Sequence, residues 1–452
     1  MSSTSRTTHA PKSVSLLEAF GFWLKLGLIS FGGPAGQISI MHEELVVRRR
    51  WLSERRFLHA LNYCMMLPGP EAQQLATYIG WLMHRTWGGV IAGALFLLPS
   101  LVVLILLSWL YIAFGDLPLI AGLFYGIKPA VTAIVIQATY RIGSRTLTNP
   151  ALWLIAVAAF VAIFALNVAF PVIILGAAIV GYFAGRNWPH WFSGKRSDNK
   201  TQPEGLSALI DDHTPTPLHA RFRLAGLIKL AVIGALLWLL PITLLTTLYG
   251  WDGTLTQMAW FFTKAALLTF GGAYAVLPYV YQGAIAQYGW LTPAQMIDGL
   301  ALGETTPGPL IMVVAFVGFV GAYVQQVFGA QQLFLGGAVA AILVSWFTFL
   351  PSFIFILAGG PLVESTHNQL GFTAPLTAIT AAVVGVILNL ALFFAYHVLW
   401  PQGLNAAFDW PSALIAFAAS VALLRYKRGV IQVIALSACC GLLIYLLRLS
   451  NL

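Results

Sequence analysis

Charge is what this 452-residue chain has least of: 9% of its residues are Asp, Glu, Lys or Arg, against 59% hydrophobic residues. A soluble domain carries roughly 25% charged residues, so a surface-dominated globular fold is excluded and an integral membrane protein is left. Carboxylates are scarcer still, 15 against 24 Lys and Arg. In so apolar a chain the net charge of +9 reads as loop charge that sets membrane orientation. No cluster of Lys and Arg interleaves with exposed aromatics, which removes nucleic acid as a partner. Cys64, Cys439 and Cys440 lie in apolar stretches and form neither a disulfide framework nor a CxxC metal site. Without metal ligands or a nucleotide fold, no cofactor is expected and the chain is not read as an enzyme. The polar run Met1 to Ser15 lacks the apolar core of a secretory signal and is expected to stay in the cytoplasm.

Long apolar runs are what the chain does have. A bilayer core of about 30 Å needs roughly 20 apolar residues per helix. Spans are predicted at 88–114, 119–140, 225–248, 331–358 and 372–398, with short paired spans at 151–166 and 170–184 and again at 409–424 and 430–448. A hydrophilic stretch, 186–224, reads as a cytoplasmic linker. Four segments are irregular: 16–31 and 260–270 run into Phe-Gly-Gly, while 59–84 and 296–323 are interrupted by Pro-Gly-Pro.

Sliding the chain against itself by 239 positions aligns Lys25 with Lys264, Phe31-Gly32-Gly33 with Phe270-Gly271-Gly272, and Pro68-Gly69-Pro70 with Pro307-Gly308-Pro309. Three ordered motifs in one register establish a duplication. Further on, Pro99-Ser100 meets Pro351-Ser352 only after an insertion in the second half. The expected organisation is a first repeat over 1–185, the linker 186–224, a linking helix over 225–250 and a second repeat over 251–452. Seven steps separate a segment from its repeat, and an odd number inverts the second half. The fold class predicted is therefore an all-α polytopic membrane protein of two inverted repeats with broken or re-entrant helices. Loop charge decides between these. If 16–31 and 59–84 both crossed, Arg48, Arg49, Arg50, Arg55 and Arg56 would lie outside, against the positive-inside rule. Re-entrant hairpins that turn at mid-membrane bring that loop back to the cytoplasm.

Proline removes a backbone donor and glycine accepts positive φ, so these motifs break helices and free polar groups. Such groups are tolerated in hydrocarbon only where they line a cavity or are buried in protein. The helix starts after Gly33, Pro70, Gly272 and Pro309 attract anions; the competing reading is packing kinks. Lys25 and Lys264, two turns before the Gly-Gly breaks, supply positive charge if buried, or snorkel to an interface. Ser30, Asn62, Thr269, Thr305 and Thr306 are neutral donors beside the breaks, unless they bond only to backbone. Glu71 opens a half-helix, whose positive end favours its ionised form. Glu304 sits near the end of the preceding half-helix, where carbonyl dipoles disfavour negative charge, and is the better proton-coupling candidate. His42, His59 and His84 read as interfacial.

The run FGGPAGQISIMHEELVVRRRWLSERRFLHALNYCMMLPGPEAQQLATYIGW, with FGGAYAVLPYV and TTPGPL in the second half, resembles the chromate ion transporter family in its long, two-domain form. The resemblance implies a bacterial inner-membrane exporter of chromate, with sulfate as a related oxyanion. In that family paired Phe-Gly-Gly and Pro-Gly-Pro motifs mark the duplicated domain, matched here by Gly32, Gly33, Pro68 to Pro70, Gly271, Gly272 and Pro307 to Pro309; these, with Gln37, are the expected substrate-binding residues of the breaks. Ala273 departs from Pro34 at the equivalent position. Sulfate transport and an anion channel stay open as alternatives. The expected partners are chromate, sulfate and the lipid bilayer, and a homodimer is compatible with the sequence.

Overall fold

The computed structural model describes residues 14–31, 33–115, 117–188, 208–211, 214, 217–365 and 373–450. Gly32, the N-terminal run to residue 13 and most of the linker therefore lie outside the described residues. The described chain is helical: α1 Leu16–Ile29, α2 Gly33–His42, α3 Glu54–Met66, α4 Glu71–Phe114, α5 Pro118–Thr146, α6 Pro150–Phe164, α7 Phe170–Asn187 and α8 Leu224–Tyr249. The second half follows with α9 Thr254–Leu267, α10 Ala273–Tyr281, α11 Pro293–Thr305, α12 Val313–Val324, α13 Leu333–Ser365, α14 Thr373–Leu399, α15 Trp410–Leu424 and α16 Val430–Ser450. Among the described residues, seven helices are long and apolar enough to cross a membrane.

α4 is two arms. Non-helical φ and ψ at His84 and Arg85 reverse the chain, and the arms pack so closely that a Cβ on Gly80 would lie 2.4 Å from the Gly88 carbonyl oxygen. The arm 71–83 thus belongs with α3, and the arm 86–114 is the predicted span.

The irregular segments fold as hairpins that open on one end of the bundle in each half. α1 rises to the break at residues 30–33, and α2 with the π turn Glu43–Arg48 returns, bringing Arg49 within 3.9 Å of Glu18 at the start of α1. His84, where the α3–α4 hairpin ends, lies 2.8 Å from the carbonyl of Val14 just before α1. The second-half hairpins open at the other end. Gln282, after α10, accepts from the amide of Phe170, the first residue of α7, and the Tyr249 ring at the end of α8 lies 6.4 Å from Phe328 beyond α12.

The repeat holds at atomic detail. Trp51 N–H donates to Leu45 O at 2.7 Å, and the equivalent Trp290 donates to Ala284 O at 2.7 Å. Phe22 packs on Trp51 at 4.9 Å and Phe261 on Trp290 at 5.6 Å. The π turn Glu43–Arg48 recurs as Gln282–Gln287, and Arg50 and Gly289 both have positive φ, +54° and +61°. Burial of these aromatic anchors ties each hairpin to itself; Trp23 and Trp290 are among the largest fully buried side chains.

The basic loop is held by named partners. Arg56 pairs with buried Glu364 at 2.6 Å and donates to the Asp211 and Thr214 carbonyls. Tyr78 donates to the same Glu364 at 2.5 Å. Arg48 pairs with Glu43 and Glu44, and Arg49 stacks over Phe22 and Trp51.

A candidate substrate site at two crossed helix breaks

Each Phe-Gly-Gly break meets the Pro-Gly-Pro break of the opposite half. Gly308 N–H donates to Ser30 O at 2.8 Å, and Gly69 N–H donates to Thr269 O at 2.7 Å. Ser30 is the repeat equivalent of Thr269 and Gly69 of Gly308, so the two bonds are one contact made twice. The flanking prolines have no N–H to give; the central glycine is the donor. Its φ is +129° at Gly69 and +101° at Gly308, a region L side chains rarely adopt.

Space imposes the same choice. A Cβ on Gly69 would lie 2.2 Å from Ser352 Oγ, and one on Gly308 would lie 2.7 Å from Ser100 Cβ. Ser100 and Ser352, each after a proline inside a long helix, therefore face the two crossings.

Glutamines line both breaks. Gln37 Nε2 donates to Gly308 O at 2.5 Å and to Ser30 O at 3.3 Å. Gln74 Nε2 donates to Pro68 O at 2.8 Å, and Gln73 Nε2 to Thr77 Oγ1 at 3.0 Å. The remaining polar atoms, Ser30 Oγ, Gln37 Oε1, Gln73 Oε1, Gln74 Oε1, Ser100 Oγ and Ser352 Oγ, are buried without a hydrogen-bond partner among the described residues. Leaving a buried polar atom unpaired costs about 1–3 kcal/mol. Six around the two crossings point to partners from outside the protein, water or a ligand.

Of the residues singled out in the sequence, Ser30, Gln37, Pro68, Gly69, Thr269 and Gly308 make the contacts at these crossings, and Gly33, Pro70, Gly271, Gly272, Pro307 and Pro309 adjoin them in the chain. Three threonines bond to their own helices: Thr269 to Ala265 O, Thr305 to Leu302 O and Thr306 to Gly303 O. Asn62 and Lys25 are exposed on α3 and α1. Lys264 is half-buried, with Nζ 5.7 Å from the centre of the Trp260 ring. Neither lysine is fully buried, an arrangement in keeping with the interfacial alternative. Glu71 is the first residue of α4, and buried Glu304 accepts a hydrogen bond from Tyr274.

Sequence reasoning missed three features. Ser100 and Ser352 were visible as an aligned Pro-Ser pair. Gln73 and Gln74, unlike Gln37, were not singled out, and they carried no repeat signal, because Met312 and Val313 stand at the equivalent places. Within the span 119–140, Lys128 pairs with Asp298 at 3.4 Å, and Tyr111 donates to the same carboxylate oxygen at 2.8 Å. The signal there was an intramembrane lysine in an otherwise ordinary span.

Among known proteins, the family described as Chromate transporter matches residues 17–182 and 256–442. The chain is 33% identical over 393 residues to the chromate transport protein of Pseudomonas aeruginosa, covering 85% of this chain and 82% of that protein. It is 27% identical over 441 residues to the chromate transport protein of Cupriavidus metallidurans, covering 97% and 96%. No solved structure matches the chain.

Proposed function

The chain belongs to the chromate transporter family, and from that premise we propose that it exports chromate across the bacterial inner membrane, binding the dianion at the two crossed breaks. The observation that carries the reading is the reciprocal bond between Gly308 and Ser30 and between Gly69 and Thr269, surrounded by buried hydroxyls without partners. The helix starts of α2, α4, α10 and α12 lie at the crossings, and their free N–H groups suit an oxyanion. Ser30, Ser100 and Ser352 offer hydroxyl donors beside them.

The basic end of the bundle, with Arg48 to Arg56, is taken as cytoplasmic by the positive-inside rule. The division into repeats over 1–185 and 251–452, joined by the linker 186–224 and the helix over 225–250, goes with this orientation. Moving a dianion out of a cell that is negative inside releases about 4.6 kcal/mol per 100 mV, twice the value per charge. Membrane potential therefore suffices as driving force. Proton exchange adds a second route, with Glu304 as the acid that takes and releases the proton and Glu71 the lesser candidate.

Purified protein in liposomes, loaded with chromate and given an inside-negative potential, tests the reading. Chromate efflux that saturates with concentration and grows with the potential is expected. Absence of chromate flux at every potential rejects it, and flux that does not saturate makes the protein a channel. Sulfate in the same assay measures how far hydroxyl donors separate two tetrahedral dianions.

A further inference from the structure

The crossing between Ser30 and Gly308 contains an oxygen that an anion does not satisfy. Gln37 Nε2 lies between Gly308 O at 2.5 Å and Ser30 O at 3.3 Å. A carbonyl cannot donate, so the opposite amide orientation would set oxygen against oxygen at those distances. Gln37 Oε1 is thereby fixed as an acceptor, fully buried and without a partner among the described residues. Two further oxygens in the same state belong to this crossing. Ser30 Oγ is on the residue that accepts from Gly308, and Ser100 Oγ lies 3.1 Å from where a Gly308 Cβ would stand. Ser30, Gln37 and Ser100 each have 0% exposure.

Two helix ends at this crossing add charge of the same sign. Ser30 caps the C-terminal end of α1, and Thr306, just before Pro307, caps the C-terminal end of α11. Both ends carry the negative pole of a helix dipole. Broken helices of transporters use such ends, with neutral oxygens, to hold small cations. The ligand set also limits the charge of the ion. Divalent cations draw on carboxylates, and these three side chains are neutral; among the described residues no group of three His, Cys, Asp or Glu comes together as a metal site.

We propose that the Ser30–Gly308 crossing binds a monovalent cation of sodium's class, ligated by Gln37 Oε1 and the hydroxyls of Ser30 and Ser100. The proposal rests on reading the crossings as the transport site. A cation there neutralises part of the charge of an oxyanion held by the helix starts on the other side of the break. Chromate movement is then coupled to sodium as well as to potential.

The experiment measures saturable ²²Na⁺ binding to the purified full-length protein in nanodiscs, without any oxyanion, at ionic strength held constant with choline chloride. Wild-type protein is compared with Ser100→Ala and Gln37→Leu, with thermal unfolding reporting that each variant is folded. Saturable binding in wild type, at least tenfold weaker in Ser100→Ala, is the expected result, and Gln37→Leu should abolish it. No saturable binding in wild type overturns the proposal, as does binding unchanged in folded Ser100→Ala. Chromate flux is measured separately on the same preparations, so failure of the transport reading leaves the sodium result to stand or fall by itself.

Discussion

Helices α2 and α10 hold equivalent places in the two repeats, yet Ala35 and Ser39 of α2 are exposed, whereas every residue from Ala273 to Val280 in α10 is buried. α14 and α7 cover the second-half hairpin: the Tyr281 ring lies 4.1 Å from Phe393 and Tyr279 lies 5.8 Å from Phe170. The polar side chains follow the opposite rule. Gln37, Gln73 and Gln74 all come from the first repeat, with Val276, Met312 and Val313 as their counterparts. The same backbone, down to its π turns, therefore serves two purposes. In the second half it is mostly packing core, and in the first it brings amide side chains to both crossings. The Gly and Pro spacing sets the break, and the side chains around it decide what the break can bind.

The hardest way to break this comparison is at the glycines. Gly308→Ala and Gly69→Ala each force a side chain into a left-handed backbone, which costs about 1–3 kcal/mol, before any clash with Ser100 or Ser352. Both variants are expected to lose at least 90% of chromate flux. In Gly69→Ala the clash is with the ends of two side chains, the Ser352 hydroxyl and the Gln74 amide, so adding Ser352→Gly should recover part of it; in Gly308→Ala it is with Ser100 Cβ, and Ser100→Ala should recover nothing. Normal flux in either single variant would show that its crossing is not needed.

Next in size is Gln74→Leu. It leaves the half-buried Pro68 carbonyl without the donor it has at 2.8 Å, a loss of about 1 kcal/mol, and flux should fall roughly tenfold. Polar substitution at the counterpart, Val313→Gln, should lower thermal stability, because nothing in the apolar half receives the amide. Equal effects of the two changes on flux would erase the division of labour between the repeats.

How much of this was legible beforehand depended on distance along the chain. Hydropathy placed the spans, since 119–140 and 225–248 became Pro118–Thr146 and Leu224–Tyr249, and local proline and glycine chemistry placed all four breaks. Loop charge gave the re-entrant course, with Arg49 returning to Glu18. Which break touches which was hidden, because the Ser30–Gly308 contact joins residues 278 positions apart (308 minus 30) and no repeat alignment reports a contact between repeats. The lysines show the same limit: equal register in Lys25 and Lys264 fixes the position along each helix but not the face, so the sequence leaves their burial open.

Smaller effects sharpen the account. Glu304→Gln should preserve chromate binding and remove any response of flux to an imposed pH gradient, and Tyr274→Phe, which takes away the hydrogen bond to Glu304, should weaken that response. Unchanged pH coupling in Glu304→Gln removes this residue from the mechanism. Smallest of all, Lys25→Gln should alter chromate affinity less than twofold, since its side chain is exposed; a tenfold loss would place its charge on the substrate path.

The central claim, two hairpin pairs that open on opposite faces of the membrane, is tested most directly by impermeant thiol labelling of intact cells. Arg55→Cys and Ala294→Cys occupy equivalent, exposed positions at the start of α3 and α11, and each is introduced after Cys64, Cys439 and Cys440 are replaced. Labelling at residue 294 with protection at 55 is the predicted result. Equal labelling of both, or labelling at 55 with protection at 294, would contradict it.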